Sequence, residues 1–265
     1  MTEPPGVVVM GVVNVTPDSF SDGGRYASTD AAIAHGLQLA RDGADIVDVG
    51  GEATGPRAIA ISSDAELARV MPVIERLVGE GIVVSIDTTK AVVARAAVAA
   101  GASYVNDISG GVFDPDIGAA VGDAIYICGH LRGRSLREVF HDESRHVTWL
   151  EVADELAERL AALPADVAAR AWVDPGLGFG KGGDPATNHA LISHAGDLAR
   201  RLGRPVIVGP SRKRFLRADL GPDPSELELD RASVRACEAA IRAGAHAVRI
   251  HNVSALRAVV PSDRR

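Results

Sequence analysis

At 265 residues, 46% apolar and 24% charged, the chain has ordinary globular composition and can bury a large core without disulfides or metal staples. A net charge of −7, with no basic face interleaved with aromatics, argues against a nucleic-acid partner. Two scattered cysteines, Cys128 and Cys237, point to a reducing compartment, and the N-terminal segment 1–13 has neither a basic n-region nor an apolar run long enough for a bilayer, so a cytoplasmic protein with no membrane partner is expected.

Eight short apolar runs rich in β-branched residues follow one another along the chain: Val7–Val13, Ile46–Val49, Ile82–Ile86, Ser103–Val105, Ala124–Cys128, Ala171–Val173, Val206–Val208 and Ala247–Ile250. Between most of them lie stretches of helical period, at Asp30–Arg41, Asp64–Val78, Ala91–Ala100, Glu151–Leu163, Asn188–Leu202 and Arg231–Ala243. Continuously apolar strands alternating with helices make a parallel sheet covered by helices. Eight such units in about 250 residues is the count of a closed barrel, so the expected fold is α/β, a (β/α)8 TIM barrel in one domain over 1–265. An open doubly wound sheet is the alternative, because periodicity does not prove closure. Gly-Ala pairs at Gly43-Ala44, Gly101-Ala102 and Gly244-Ala245 mark helix-to-strand junctions. The irregular stretches Gly51–Ser63 and Gly129–Val147 follow strands, which in a barrel places both at the carboxyl-end face, and Gly221–Leu229 is a Pro/Asp-rich excursion after the seventh strand.

Each apolar run leads into a polar side chain: Asn14, then Asp48 and Glu52, Asp87, Asn106-Asp107, His130, Asp174, Ser211-Arg212-Lys213, and Arg249 with His251. Any one of these is commonly a turn or cap residue, but a barrel brings all eight ends to one mouth. Asp87, Asn106 and Asp174 offer acceptors suited to the donor-rich edge of an aminated heterocycle, which a carboxylate can hold through two parallel bonds. Lys213, Arg249 and His251 suit a phosphate or diphosphate, with Arg249 and His251 on one strand face at i and i+2. The turn-forming run from Asn14 to Gly24 carries one aromatic, Phe20, as apt to stack on a substrate ring as to pack on the barrel rim. The glycine-rich Asp174–Lys181 segment lets backbone approach a ligand but matches neither a Walker loop nor a dinucleotide fingerprint.

These segments together resemble the dihydropteroate synthase family along nearly the whole chain: Met10–Gly24, Asp48–Glu52, Ser85–Lys90, Asn106–Gly111, Asp174–Lys181, Ser211–Lys213 and Arg249–His251. The resemblance implies an enzyme that condenses 6-hydroxymethyl-7,8-dihydropterin diphosphate with p-aminobenzoate, releases diphosphate, uses Mg2+ and forms a homodimer. It implies that Asp87, Asn106, Asp174 and Lys213 hold the pterin. Asn14, Arg249 and His251 would form the diphosphate group, with Asn14 also near the metal. Phe20 in the first loop, Thr54 and Pro56 in the second, and Ser211 would complete the p-aminobenzoate pocket.

Four departures from the family pattern stand out. The second loop reads Ala53-Thr-Gly-Pro-Arg57 where Ser-Thr-Arg-Pro-Gly is usual, and Gly129 stands where a methionine packs on the pterin, which would leave space. Asn252 replaces an aspartate beside the diphosphate group, and the last helix after Val253 is short. The first two motivate an alternative, a pterin-binding paralogue with weak or no synthase activity. A folate-dependent methyltransferase of the same superfamily and a barrel aldolase forming a Schiff base at Lys90 or Lys213 are further alternatives. Asp48 and Glu52 read as structural support for loops or caps, and Cys128 as a small core side chain.

Overall fold

A computed structural model describes residues 6–15, 24–56, 58–141, 146–181 and 185–261. Eight parallel strands run β1 Val8–Asn14, β2 Ile46–Gly50, β3 Val84–Asp87, β4 Tyr104–Asp107, β5 Ile125–Gly129, β6 Trp172–Asp174, β7 Ile207–Val208 and β8 Ala247–Ile250. Their order in the sheet is β6-β5-β4-β3-β2-β1-β8-β7, and a parallel bridge from Val173 to Val206 joins the two ends of that order. The barrel is therefore closed, and the open doubly wound alternative is excluded.

Alternation along the strands divides the apolar residues into two environments. Met10, Ile46, Ile127, Ile207 and Ala247 pack inside the barrel, with Trp172 set edge-on to Tyr104 at 5.4 Å between ring centroids. The other strand face, with Val9, Val47, Val84 and Val105 among its residues, packs outward under the helices. The interior is apolar at the amino end and turns polar above it, where Asp48 and Ser85 occupy paired positions and Arg249 pairs with Met10. The site thus rests on a packed floor.

The helices are α1 Gly24–Arg41, α2 Ser63–Gly79, α3 Ala91–Ala99, α4 Ile117–Ala120, α5 Leu136–His141, α6 Trp149–Ala162, α7 Ala165–Arg170, α8 Pro185–Ser193, α9 Ala195–Leu202, α10 Arg214–Leu220, α11 Glu226–Arg242 and α12 Val253–Arg257. The single helix expected over Asn188–Leu202 is two. The Gly196 N–H donates to Ala243 O at 2.8 Å instead of continuing the helical ladder, and a Cβ at Gly196 would lie 2.4 Å from that oxygen. Helix α11 begins inside the stretch read as an excursion. A capping box starts it, with Ser225 Oγ accepting from Glu228 N and Glu228 Oε2 accepting from Ser225 N.

Candidate active site

A cavity of about 380 Å³ opens at the carboxyl ends of the strands, and its wall includes Asn14, Thr54, Pro56, Asp87, Ser211, Lys213, Arg249 and His251. Eight of the predicted site residues therefore meet at one place. Asn106 and Asp174 are not on that wall. Asn106 is buried and donates from Nδ2 to Asp48 Oδ2 at 3.0 Å, while Asp174 begins the glycine-rich turn and accepts from Gly176 N at 2.7 Å. Phe20 and most of the first loop, like Arg57 of the second, lie outside the described residues.

Asp48, read as structural support for a loop or cap, supports Arg249 of the cavity wall instead. It is fully buried, and its Oδ2 accepts from Arg249 Nε at 2.6 Å as well as from Asn106. Its Oδ1 and the Ser85 hydroxyl, at paired positions of β2 and β3, have no hydrogen-bond partner among the described residues. Arg249 reaches on to Asp87 Oδ2 with its terminal nitrogen, at 2.7 Å. Burial pushes the Asp87 carboxyl up to about 7, Arg249 opposes the shift and Asp48 adds to it. Burial brings Lys213 down to about 8, against the pull of Asp174. Its cause is thus the interior itself, with Arg249 rather than the flanking Arg212 and Arg214 as the neighbouring cation. Asp87 and Lys213 both titrate near neutrality, so a ligand can settle their protonation at small cost.

The Ser211-Arg212-Lys213 corner owes its shape to Arg212, which has a φ of 57°. A non-glycine residue in that region is held by its surroundings: Arg212 N donates to Ser233 Oγ at 3.0 Å, and its guanidinium pairs with Asp230. This corner sends Ser211 and Lys213 both to the cavity. Ser211 Oγ lies 2.8 Å from His251 Nδ1 and accepts the His251 backbone N–H at 3.1 Å, which leaves its hydroxyl proton for the ring nitrogen. Burial and Arg249 push the His251 ring down to about 3, so it is neutral and carries its own proton on Nε2. His251 is set as a hydrogen-bond donor.

Two departures acquire reasons. A Cβ at Gly129 would lie 2.5 Å from Asp107 O and 2.6 Å from Ile108 Cα, so the missing side chain leaves no space; neighbouring backbone fills it. Arg159 of α6 holds this close approach by donating to Ser109 O, Gly129 O and Leu131 O. Asn252 donates to Asp230 Oδ2 at 2.9 Å and caps α12, and an aspartate there would face the carboxylate of Asp230.

Two other strand-end residues turn away from the cavity. His130 is buried against Glu155, and Asp107 caps its own turn through Ser109 N and Gly111 N. Lys90 is clamped between Glu52 and the fully buried Glu66, and the hydrogen bonds of those carboxylates outweigh burial and raise its pKa. A clamped ammonium is no Schiff-base nucleophile. Glu52 also accepts the Ile61 N–H, so its reading as loop support holds. Burial pushes the Cys128 thiol up to about 12, which makes it a core side chain. Phe179, which sequence reasoning passed over inside its glycine-rich turn, has its ring centroid 3.8 Å from Lys213 Nζ at the cavity wall. An aromatic among three glycines was the available signal.

Fold and site define a class: a (β/α)8-barrel protein that takes its ligand at the strand ends, between buried acceptors and a cationic rim. A family model described as pterin binding enzyme matches residues 10–251, and the chain belongs to that family. It is 44% identical over 257 residues to a dihydropteroate synthase of Mycobacterium leprae, an alignment covering 94% of this chain and 89% of that protein. It also matches a bifunctional folate synthesis protein of Arabidopsis thaliana at 36% identity, over 92% of this chain and about half (47%) of that one. A solved dihydropteroate synthase of Xanthomonas albilineans holding 4-aminobenzoic acid superposes with a TM-score of 0.84 at 41% identity, covering 96% of this chain and 91% of that one. The same enzyme in complex with 7,8-dihydropteroate superposes at 0.82 with 39% identity over the same shares.

Proposed function

We propose that this chain is a transferase of folate biosynthesis, condensing 6-hydroxymethyl-7,8-dihydropterin diphosphate with p-aminobenzoate and releasing diphosphate. The observation that carries this reading is the division of charge at the mouth. Buried acceptors on Asp48 and Asp87 are bridged by the Arg249 guanidinium, with Asn106 also donating to Asp48, and Lys213, Ser211 and His251 stand on the rim beside it. A pterin brings to the acceptors the N–H donors that Arg249 now supplies. Arg249 is then released toward the diphosphate, a partner exchange that couples the two halves of the substrate.

Asp87, Asn106, Asp174 and Lys213 form the pterin group in this reading. Asn14, Arg249 and His251 receive the leaving diphosphate: His251 donates from Nε2, and Arg249 stabilises charge as it develops on the leaving oxygen. The amine of p-aminobenzoate attacks the freed methylene carbon, so no protein nucleophile is required. Positioning by Thr54, Pro56, Ser211 and the first loop with Phe20 brings the arylamine into line. Mg2+, when bound, neutralises charge on the diphosphate. Among the described residues no group of three His, Cys, Asp or Glu is disposed to hold a metal. The Asn14 amide oxygen at the cavity wall fits an ion carried mainly by substrate oxygens and water. The reading also carries a cytoplasmic location and a homodimer; among the described residues no helix is long and apolar enough to cross a membrane. Light scattering after size exclusion tests the dimer by a mass twice the 27.5 kDa of one chain.

The deciding assay follows dihydropteroate and diphosphate from both substrates with Mg2+, for the wild type and Arg249→Ala. Product from the wild type that is lost in the variant supports the reading. Pterin diphosphate binding without turnover overturns it in favour of a binding paralogue.

A further inference from the structure

We propose that Lys181, which does not line the substrate cavity, is a positioning residue: its ammonium holds the glycine-rich turn so that Phe179 stays against Lys213. This inference rests on the synthase reading above.

Lys181 is 1% exposed, and its Nζ has three acceptors around it: His130 Nδ1 at 2.7 Å, Phe179 O at 2.9 Å and His130 O at 3.2 Å. The protonation of this cluster follows from its neighbours. His130 Nε2 lies 2.9 Å from Glu155 Oε2, and the bonds from His130 and Arg132 hold that carboxyl down at about 2, so it is ionised. Nε2 must therefore carry a proton. Burial and the adjacent Lys181 push the His130 ring down to about 3, which leaves Nδ1 as a bare lone pair. Three acceptors then face one nitrogen, and only an ammonium, with three donors and no lone pair, satisfies them all. Burial and then Arg159 push the Lys181 ammonium well below its ordinary range, against the pull of Asp174 and Glu155; the case for the charged form is the geometry of the three acceptors.

The ammonium ties three elements together: the end of β5 through His130, the Asp174–Lys181 turn through Phe179 O, and α6 through Glu155. The turn sits directly on the His130 backbone. His130 N donates to Asp174 O at 3.0 Å, and a Cβ at Gly176 would lie 1.7 Å from His130 O. Without the ammonium, the oxygens of His130 and Phe179 and the His130 lone pair would face one another with no donor between them. The far end of the turn would shift, and Phe179 would leave the wall it shares with Lys213.

The test is a cycle of Lys181→Met, Phe179→Leu and the double variant, read by kcat/KM for p-aminobenzoate, by thermal midpoint, and by hydrogen exchange across residues 174–181. We expect Lys181→Met to remain folded, to exchange faster in that segment, and to lose about tenfold in kcat/KM. In the Phe179→Leu background the same change should cost less than about twofold, because the residue it acts through is gone. A lowered midpoint with unchanged kcat/KM, or the same tenfold loss in both backgrounds, overturns the proposal. Should Lys181→Met not fold, Glu155→Gln removes the charge that keeps the proton on Nε2. A loss of about threefold is then expected, and an unchanged kcat/KM counts against the idea. A wild type without turnover defeats the synthase reading instead, and unchanged exchange in Lys181→Met would still defeat this one.

Discussion

Replacing Arg249 by Met keeps most of the side-chain length and removes the one cation that answers both Asp48 and Asp87. Those contacts are 2.6 Å and 2.7 Å long, and Asp48 is wholly buried, so the change leaves uncompensated charge in the barrel. Breaking a buried ion pair in this way costs about 3–5 kcal/mol. The loss should depend on pH with a definite sign. Asp87 has a folded-state pKa near 7 against an ordinary 3.8, so the folded protein holds that proton more tightly than the unfolded chain does. Its contribution to stability is present below pH 3.8 and falls as pH rises through about 7; at 1.36 kcal/mol per unit this amounts to about 4 kcal/mol at most. Arg249 lowers that pKa, so in Arg249→Met it should move higher and the decline should continue above neutrality. Urea unfolding followed by circular dichroism at about pH 6 and about pH 8.5 should show a deficit of about 1–2 kcal/mol at the lower pH and about 3–5 at the higher. A deficit equal at both pH values, or larger at the lower one, would refute the assignment of this cluster as one carboxylate pair under one guanidinium.

The other predictions concern the surroundings of the site. Gly129→Ala should destabilise by about 2–3 kcal/mol in the same unfolding assay, since its Cβ would press on the backbone of Asp107 and Ile108; a neutral effect would restore the idea of open space there. Lys90→Met should cost about 3–5 kcal/mol by leaving the buried Glu66 without its cation, and a thermal midpoint within a degree or so of wild type would sink that account. Chelation of divalent ions should abolish turnover while leaving calorimetric binding of a pterin without diphosphate unchanged. Weakened binding of that pterin would place the ion in the pterin group rather than with the diphosphate.

The alternation of apolar runs and helical stretches, read with the polar residue after each run, was enough for the barrel and for the gathering of Asn14, Asp87, Ser211, Lys213, Arg249 and His251 at its mouth. Those are properties of period and order along the chain, and barrel geometry converts them directly into place. Closure came from a single bridge between β6 and β7, too small a feature to leave a periodicity. The helix break at His194 was equally hidden, because its cause is a contact with Ala243 far along the chain. The same holds for the chemistry of individual side chains. Nothing near Asp48 in sequence says that it faces Arg249, 201 residues away, nor that His130 turns from the mouth toward Glu155 and Lys181. Gly129 looked like a missing side chain, since residue type reports what an atom lacks and not what fills its place. Local pattern determined which strand ends reach the mouth. The packing of distant backbone and the pairing of buried charges, which exist only once the barrel has closed, decided what each of them does there.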